Sequence, residues 1–234
     1  MKVACCRRIT KPLIVAILPL LFLSTSVRLE MNSPGLYERG FDDYGISEAT
    51  RIDATQLTAT AKRLIGYFNS VYESPQMQLK TSDGSSLELF HDYELIHLGD
   101  VRRLFAFNSL LQALSLLAIV LLVLSAFTSD QPSRRRAALG GLQLGSALTL
   151  CLLALTGVAF MLDFSWMFVG FHLVAFDNPF WLLDPRTDYL VKLFPLGFWQ
   201  DTFMLAGGIT GLLALGTYGM TLLTTGDRFA RTTD

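Results

Sequence analysis

Apolar positions along this chain gather into four runs, at 12–27, 104–128, 137–162 and 203–225, and polar positions fill the stretches between them. The last three runs exceed the ~20 apolar residues that a helix needs to cross a bilayer. The first is shorter and is interrupted by Ser24, Thr25 and Ser26, but tilt and snorkelling of Lys11 and Arg28 fit it to a span. Its basic start and small residues also resemble a signal peptide. An uncleaved helix is the preferred reading, because losing it leaves an odd set of three spans.

From 28 to 103 the pattern turns polar. Turn signals stand at Ser33-Pro34-Gly35, Ser74-Pro75 and Asp83-Gly84-Ser85. Asp53 opens an amphipathic stripe in which Leu57, Ala61, Leu64 and Phe68 recur at helical spacing. Residues 76–90, with Asp83-Gly84 in the middle, predict a short hairpin. Residues 90–101 lead straight into the second span; as a helix they put Glu94, His97 and Val101 on one face, with Asp100 one turn beyond His97. Gly141/Gly145 and Gly207/Gly211 are spaced four apart and predict close helix packing in the third and fourth spans. Between those spans, 163–202 is aromatic and acidic, a re-entrant or interfacial segment in which Asp184 is expected to start a helix at Pro185 and Asp188 to pair with Lys192.

The expected architecture is an all-α membrane protein with four transmembrane helices and a small extracytoplasmic α/β cap. Its parts are a cytoplasmic N-terminus and first span at 1–27, the cap at 28–103, the second and third spans at 104–162 with a short basic loop, the aromatic and acidic segment at 163–202, and the fourth span and tail at 203–234.

A 51% hydrophobic composition with 17% charged residues supports the membrane class. Charge adds orientation. Lys2, Arg7, Arg8 and Lys11, the run Arg134 to Arg136, and Arg228 and Arg231 together hold nine of the nineteen Lys and Arg, whereas both long connections are net acidic. The positive-inside rule then places both termini in the cytoplasm of a multi-pass cell-membrane protein, with both connections and all three histidines outside. Nucleic acid is excluded as a partner by the lack of any basic domain or binding signature. Cys5, Cys6 and Cys151 lie outside the exposed connections and build no disulfide framework there; acylation of Cys5-Cys6 is not expected.

Polar groups beside a bilayer are costly unless they face water, each other or a substrate, which singles out His97 and His172 among carboxylates and aromatics. The bland alternative is a pair of hydrogen-bonded interfacial residues that fix helix ends. His91 reads as surface. No G-x-S-x-G elbow is present and no cysteine falls on the histidines' side, so acid-base and electrostatic catalysis is the chemistry left. Glu94-x-x-His97 also matches half of a carboxylate metal site with His172 as a third ligand, although the second half is missing; no metal or other cofactor is expected. Trp166, Phe168, Trp181, Tyr189, Phe198 and Trp199 suit an interfacial belt or a groove for acyl chains.

Two stretches carry a family resemblance: Glu94-Leu-Ile-His97-Leu-Gly-Asp100-Val101, and Phe171-His172 followed by Phe176, Asn178, Trp181, Asp184-Pro185, Asp188, Leu190 and Pro195. With them the chain resembles the Lit-like family of bacterial integral membrane proteins, which includes lipoprotein intramolecular transacylases; Leu98 stands where methionine is expected. The resemblance implies an acyltransferase that moves an acyl chain from the diacylglyceryl group of a lipoprotein to its own N-terminal cysteine amine. It implies His97 and His172 as the catalytic pair, with Glu94, Asp100, Asn178, Trp181, Asp184 and Asp188 around them or the substrate. The partners implied are membrane phospholipid and the diacylated lipoprotein N-terminus. A non-enzymatic membrane protein that binds lipid or a protein is the alternative, and a metal-dependent membrane hydrolase the third reading.

Overall fold

The computed structural model describes residues 2–230, with side chains described for 9–224. The Cys5-Cys6 side chains, Lys2, Arg7 and Arg8, and the tail arginines Arg228 and Arg231 lie outside the described side chains. Among the described residues, four helices are long and apolar enough to cross a membrane: Ile9–Met31, Asp92–Phe127, Pro132–Leu162 and Leu196–Thr224. They belong to α1 (Lys2–Met31), α5 (Asp92–Phe127), α6 (Pro132–Leu162) and α9 (Leu196–Ala230). The shorter elements are α2 (Pro34–Asp43), α3 (Ile46–Thr50), α4 (Ala54–Phe68), β1 (Gln78–Lys80), β2 (Ser86–Glu88), α7 (Phe164–Ala175) and α8 (Tyr189–Leu193).

By their contacts the residues divide into two compact units, one of 1–27, 109–158 and 206–234, the other of 28–108 and 159–205. In the first, Ile14, Leu18, Phe22, Ile119, Ala126, Ala138 and Ala214 form the apolar core. Gly141 and Gly145 let α1 approach α6 closely: a Cβ on Gly141 would stand 3.0 Å from Ile14 Cβ, and one on Gly145 would stand 3.1 Å from Leu18 Cβ. The other glycine pair behaves differently from the sequence expectation. Among the described residues Gly207 has nothing within 4 Å of a would-be Cβ and Gly211 meets only Leu153 Cδ1 at 3.7 Å, so spacing alone does not make a packing face. Two polar ties replace the hydrophobic drive that lipid does not supply. Ser26 Oγ donates to the Phe22 carbonyl at 3.0 Å and therefore accepts from the Thr210 hydroxyl at 2.8 Å. Gln112 Nε2 donates to Thr25 Oγ1 at 3.1 Å.

The second unit is built on Tyr37, Phe41, Ile52, Leu57, Leu64, Leu79, Phe90, Leu98, Leu193 and Phe198. Helix α4 forms where the stripe predicted it: the Asp53 carboxylate accepts the Gln56 N–H at 3.0 Å as N-cap, and Leu57, Ala61 and Leu64 are buried. Strands β1 and β2 pair antiparallel with Leu79 opposite Leu87, and Gly84, at φ 85°, supplies the left-handed residue the turn requires. Helix α2 opens with Pro34 in its first turn and packs on α4. Gly40 lies so close to the Phe198 ring that any side chain there would overlap it.

Candidate functional site

Helix α5 starts with a built-in stop. Glu94 Oε2 accepts the His91 backbone N–H at 2.8 Å, the return arm of a capping box, and also bonds the His91 ring Nδ1 at 2.9 Å. One turn further on, the same helix carries His97, 6% exposed, and Asp100, 7% exposed. Helix α7 is opened by the Asp163 carboxylate, which accepts the Trp166 N–H at 3.2 Å, and it holds the buried His172 in its last turn.

The two rings meet: their centroids lie 6.1 Å apart with 30° between the planes. Phe176 touches both, edge-on to His97 at 4.8 Å and at 5.4 Å from His172. Phe168 and Trp181 pack on His172 at 4.2 Å and 5.0 Å. Both imidazoles line an apolar cavity of about 270 Å³ walled by Phe68, Phe105, Phe168, Trp181, Leu190, Phe194 and Trp199.

Hydrogen bonding distinguishes the two histidines. His172 Nδ1 lies 2.7 Å from the Phe168 carbonyl oxygen; a carbonyl only accepts, so Nδ1 carries the proton and, in the neutral ring, Nε2 holds the free lone pair. Burial keeps His172 below its ordinary value, and the bond to Phe168 opposes that shift without cancelling it. The buried Nδ1 of His97 has no hydrogen-bond partner among the described residues. Beyond it, Asp100 Oδ2 accepts the Asn178 amide at 2.7 Å, and its other oxygen takes the Arg103 guanidinium. This holds the loop after α7 against α5.

The remaining sequence-predicted residues form a separate network. Glu94, 0% exposed, gives its second oxygen to the Leu190 N–H at 2.7 Å. Asp188 accepts from Tyr93 Oη at 2.6 Å, from the Thr187 hydroxyl at 2.7 Å and from the Asp184 N–H at 2.7 Å. Burial pushes the Asp188 carboxyl up, yet these donors outweigh it and hold the group below the usual carboxylate range. Asp184 is pulled down to about 2 by hydrogen bonds from Arg186.

Several expectations are corrected. Residues 184–187 form a turn, not a helix start, and α8 begins only at Tyr189 after Asp188. Lys192 donates to the Arg186 carbonyl at 3.0 Å instead of pairing with Asp188. In the Glu94-x-x-His97 pair weighed as half of a metal site, both Glu94 oxygens are directed to His91 and Leu190. Among the described residues the metal-competent group is instead His91, Glu94 and Asp188, whose donor atoms lie within 4.8 Å of one another. Its two carboxylates each already hold three hydrogen-bond contacts, and His91 is a structural partner where the sequence suggested plain surface. Sequence reasoning placed Phe168 in the aromatic belt or groove but assigned no role to its carbonyl, which sets a tautomer, or to Tyr93; the first is readable only as the i−4 neighbour of a helical histidine.

The family described as "Lipoprotein intramolecular transacylase Lit" matches residues 12–199, which is most of the chain. The chain belongs to the Lit family. Among solved structures, the membrane integral lipoprotein intramolecular transacylase Lit from Bacillus cereus superposes with a TM-score of 0.79 at 16% identity, covering 95% of this chain and 98% of that one. A histidine-to-arginine variant of the same protein gives a TM-score of 0.75 at 16% identity over 96% and 94%. A histidine-to-alanine variant gives 0.75 at 16% identity over 95% and 96%. At this identity the likeness establishes the Lit fold. Against the curated proteins the sequence finds no match. Within this Lit family member, then, two buried imidazoles with different hydrogen-bond states face one apolar cavity, and no serine or cysteine side chain is among the groups that line it.

Proposed function

We propose that this integral membrane protein moves one acyl chain from the glyceryl ester of a diacylated lipoprotein to the α-amine of the same molecule's N-terminal cysteine, and that His97 and His172 carry the chemistry. The observation that bears most weight is the pairing of two buried rings, one with its tautomer dictated by Phe168 and the other with an unpartnered nitrogen, on one apolar cavity. The cavity suits an acyl chain, and the polar end where the rings meet suits its ester.

The reaction forms an N–C bond and breaks an ester C–O bond; the amine loses a proton and the glycerol oxygen gains one. His97 takes that proton as the amine attacks the ester carbonyl and returns it to the departing oxygen. The imidazolium formed at His97 stands beside the transient oxyanion and offsets its charge. His172 cannot donate from Nε2 while neutral, since its proton is committed to Phe168. It therefore accepts an amine N–H and orients the nucleophile. Asp100 and Asn178 hold the two histidine-bearing segments in place, and Trp181 covers His172. Because the nucleophile belongs to the substrate, no enzyme serine or cysteine is needed. The charge distribution supports insertion in the cytoplasmic membrane with both termini inside and the histidines on the outer side.

Mass spectrometry of the N-terminal lipopeptide of a reporter lipoprotein tests this. Co-production with the wild-type chain is expected to move one acyl chain from glycerol to nitrogen, and His97→Ala at equal membrane level to lower the yield by about 100-fold or more. An unchanged lipid pattern with the wild-type chain would favour a lipid-binding or scaffold role.

A further inference from the structure

Two hydrogen bonds, one buried and one part-buried, tie the first turn of α5 to the start of α8 across about 95 residues of chain. Glu94 Oε1 accepts the Leu190 N–H at 2.7 Å, with |i−j| of 96, and Tyr93 Oη donates to Asp188 Oδ1 at 2.6 Å, with |i−j| of 95. Glu94 is 0% and Asp188 3% exposed, and among the described residues neither forms an ion pair with Lys or Arg. Directional N–H and O–H donors hold them instead, so the ties specify position more than they neutralise charge.

Both tied elements are walls of the histidine cavity. On α5, His97, Leu98 and Val101 line it within eight residues of Tyr93 and Glu94; from α8 come Leu190 and Val191. The separation of the two tied backbones therefore sets the gap between the reacting histidine and the apolar wall opposite. An apolar cavity discriminates by about fourfold per methylene, and only while its walls do not yield.

We propose that the Tyr93–Asp188 and Glu94–Leu190 ties act as a calliper that fixes the width of the histidine cavity, and so the length of acyl chain the site accepts. The identity of the ligand as an acyl chain rests on the transacylase reading. These four are positioning residues and touch no reacting atom.

The test takes the full-length protein in lipid and a series of diacylated lipopeptides with chains from dodecanoyl to stearoyl. Tyr93→Phe removes one hydroxyl and leaves the Glu94 tie in place. It is expected to flatten the chain-length dependence of kcat/KM by about threefold or more while kcat for the preferred chain stays within about twofold. Asp188→Asn should flatten it in the same direction. A uniform fall at every length, or an unchanged profile in both variants, would overturn the proposal. A second measurement needs no turnover: in a Trp166→Phe background, brominated acyl amphiphiles of graded length quench Trp181 and Trp199, which line the cavity. Broader length dependence of quenching in Tyr93→Phe, with no acyl transfer by the unmutated chain, would sink the transacylase reading and leave the calliper standing. Transfer by the unmutated chain with coincident quenching profiles would do the reverse.

Discussion

At the scale of single residues, the site depends on which nitrogen of each histidine is spoken for. The Phe168 carbonyl makes His172 Nδ1 the protonated atom, and burial lowers the ring's pKa from its ordinary 6.5. The sign follows: between the folded pKa and 6.5 the folded ring is neutral while an unfolded chain would bind a proton there. Stability drawn from this group is therefore present at neutral pH and declines as pH falls below 6.5. Nitrogen-resolved NMR of labelled histidine should find the neutral form of His172 protonated at Nδ1; a neutral ring protonated at Nε2 would refute the tautomer argument. His97 and His172 were legible as candidates because histidine is rare in this chain and both stand among carboxylates beside apolar runs. The partition of the acids was not legible. Asp100 keeps company with the histidine site through Asn178, while Glu94, three residues before His97, turns to His91 and Leu190. Rotamer and tertiary partner decide that, and neither is written in spacing.

At the scale of elements, periodicity and caps were reliable wherever the driving force was local. The stripe and cap of α4 and the turn at Gly84 are sequence-local and form as expected. Helix α2 was missed because its apolar face, Tyr37 and Phe41, packs against Phe194 and Phe198, some 150 residues away in sequence. The glycine pairs make the same point. Gly145→Val should clash with Leu18 and with the Ile14 carbonyl and cost about 1–3 kcal/mol, read as a lower unfolding temperature in detergent. Gly207→Ala, into open space, should change stability by no more than about 0.5 kcal/mol. Equal losses at both sites would contradict the packing described for α1 and α6.

At the scale of the molecule, the positive-inside argument makes a prediction that does not depend on the chemistry. With Cys5, Cys6 and Cys151 replaced by serine, single cysteines at the exposed positions Ser85 and Asp177 should react with an impermeant maleimide added to intact cells, and one at Asp130 should react only after lysis. The opposite pattern would invert the topology and put the histidines on the cytoplasmic side. Four hydrophobic runs, their order and the charge between them fall directly out of composition along the chain, since bilayer thickness and the cost of moving charge through it are properties of the solvent.

The sequence by itself determined the membrane class, the four spans, the α4 helix and hairpin, and the pair of histidines worth watching. Each of these follows from transfer free energies, local capping or residue chemistry that acts within a few residues. Only the tertiary structure decided that the two rings stand 6.1 Å apart, that Glu94 accepts the Leu190 N–H, and that Tyr93 donates to Asp188. Those are meetings between α5, α7 and α8, separated by up to 96 residues, and a pairing across such a distance is fixed by packing of whole elements, which no local pattern encodes.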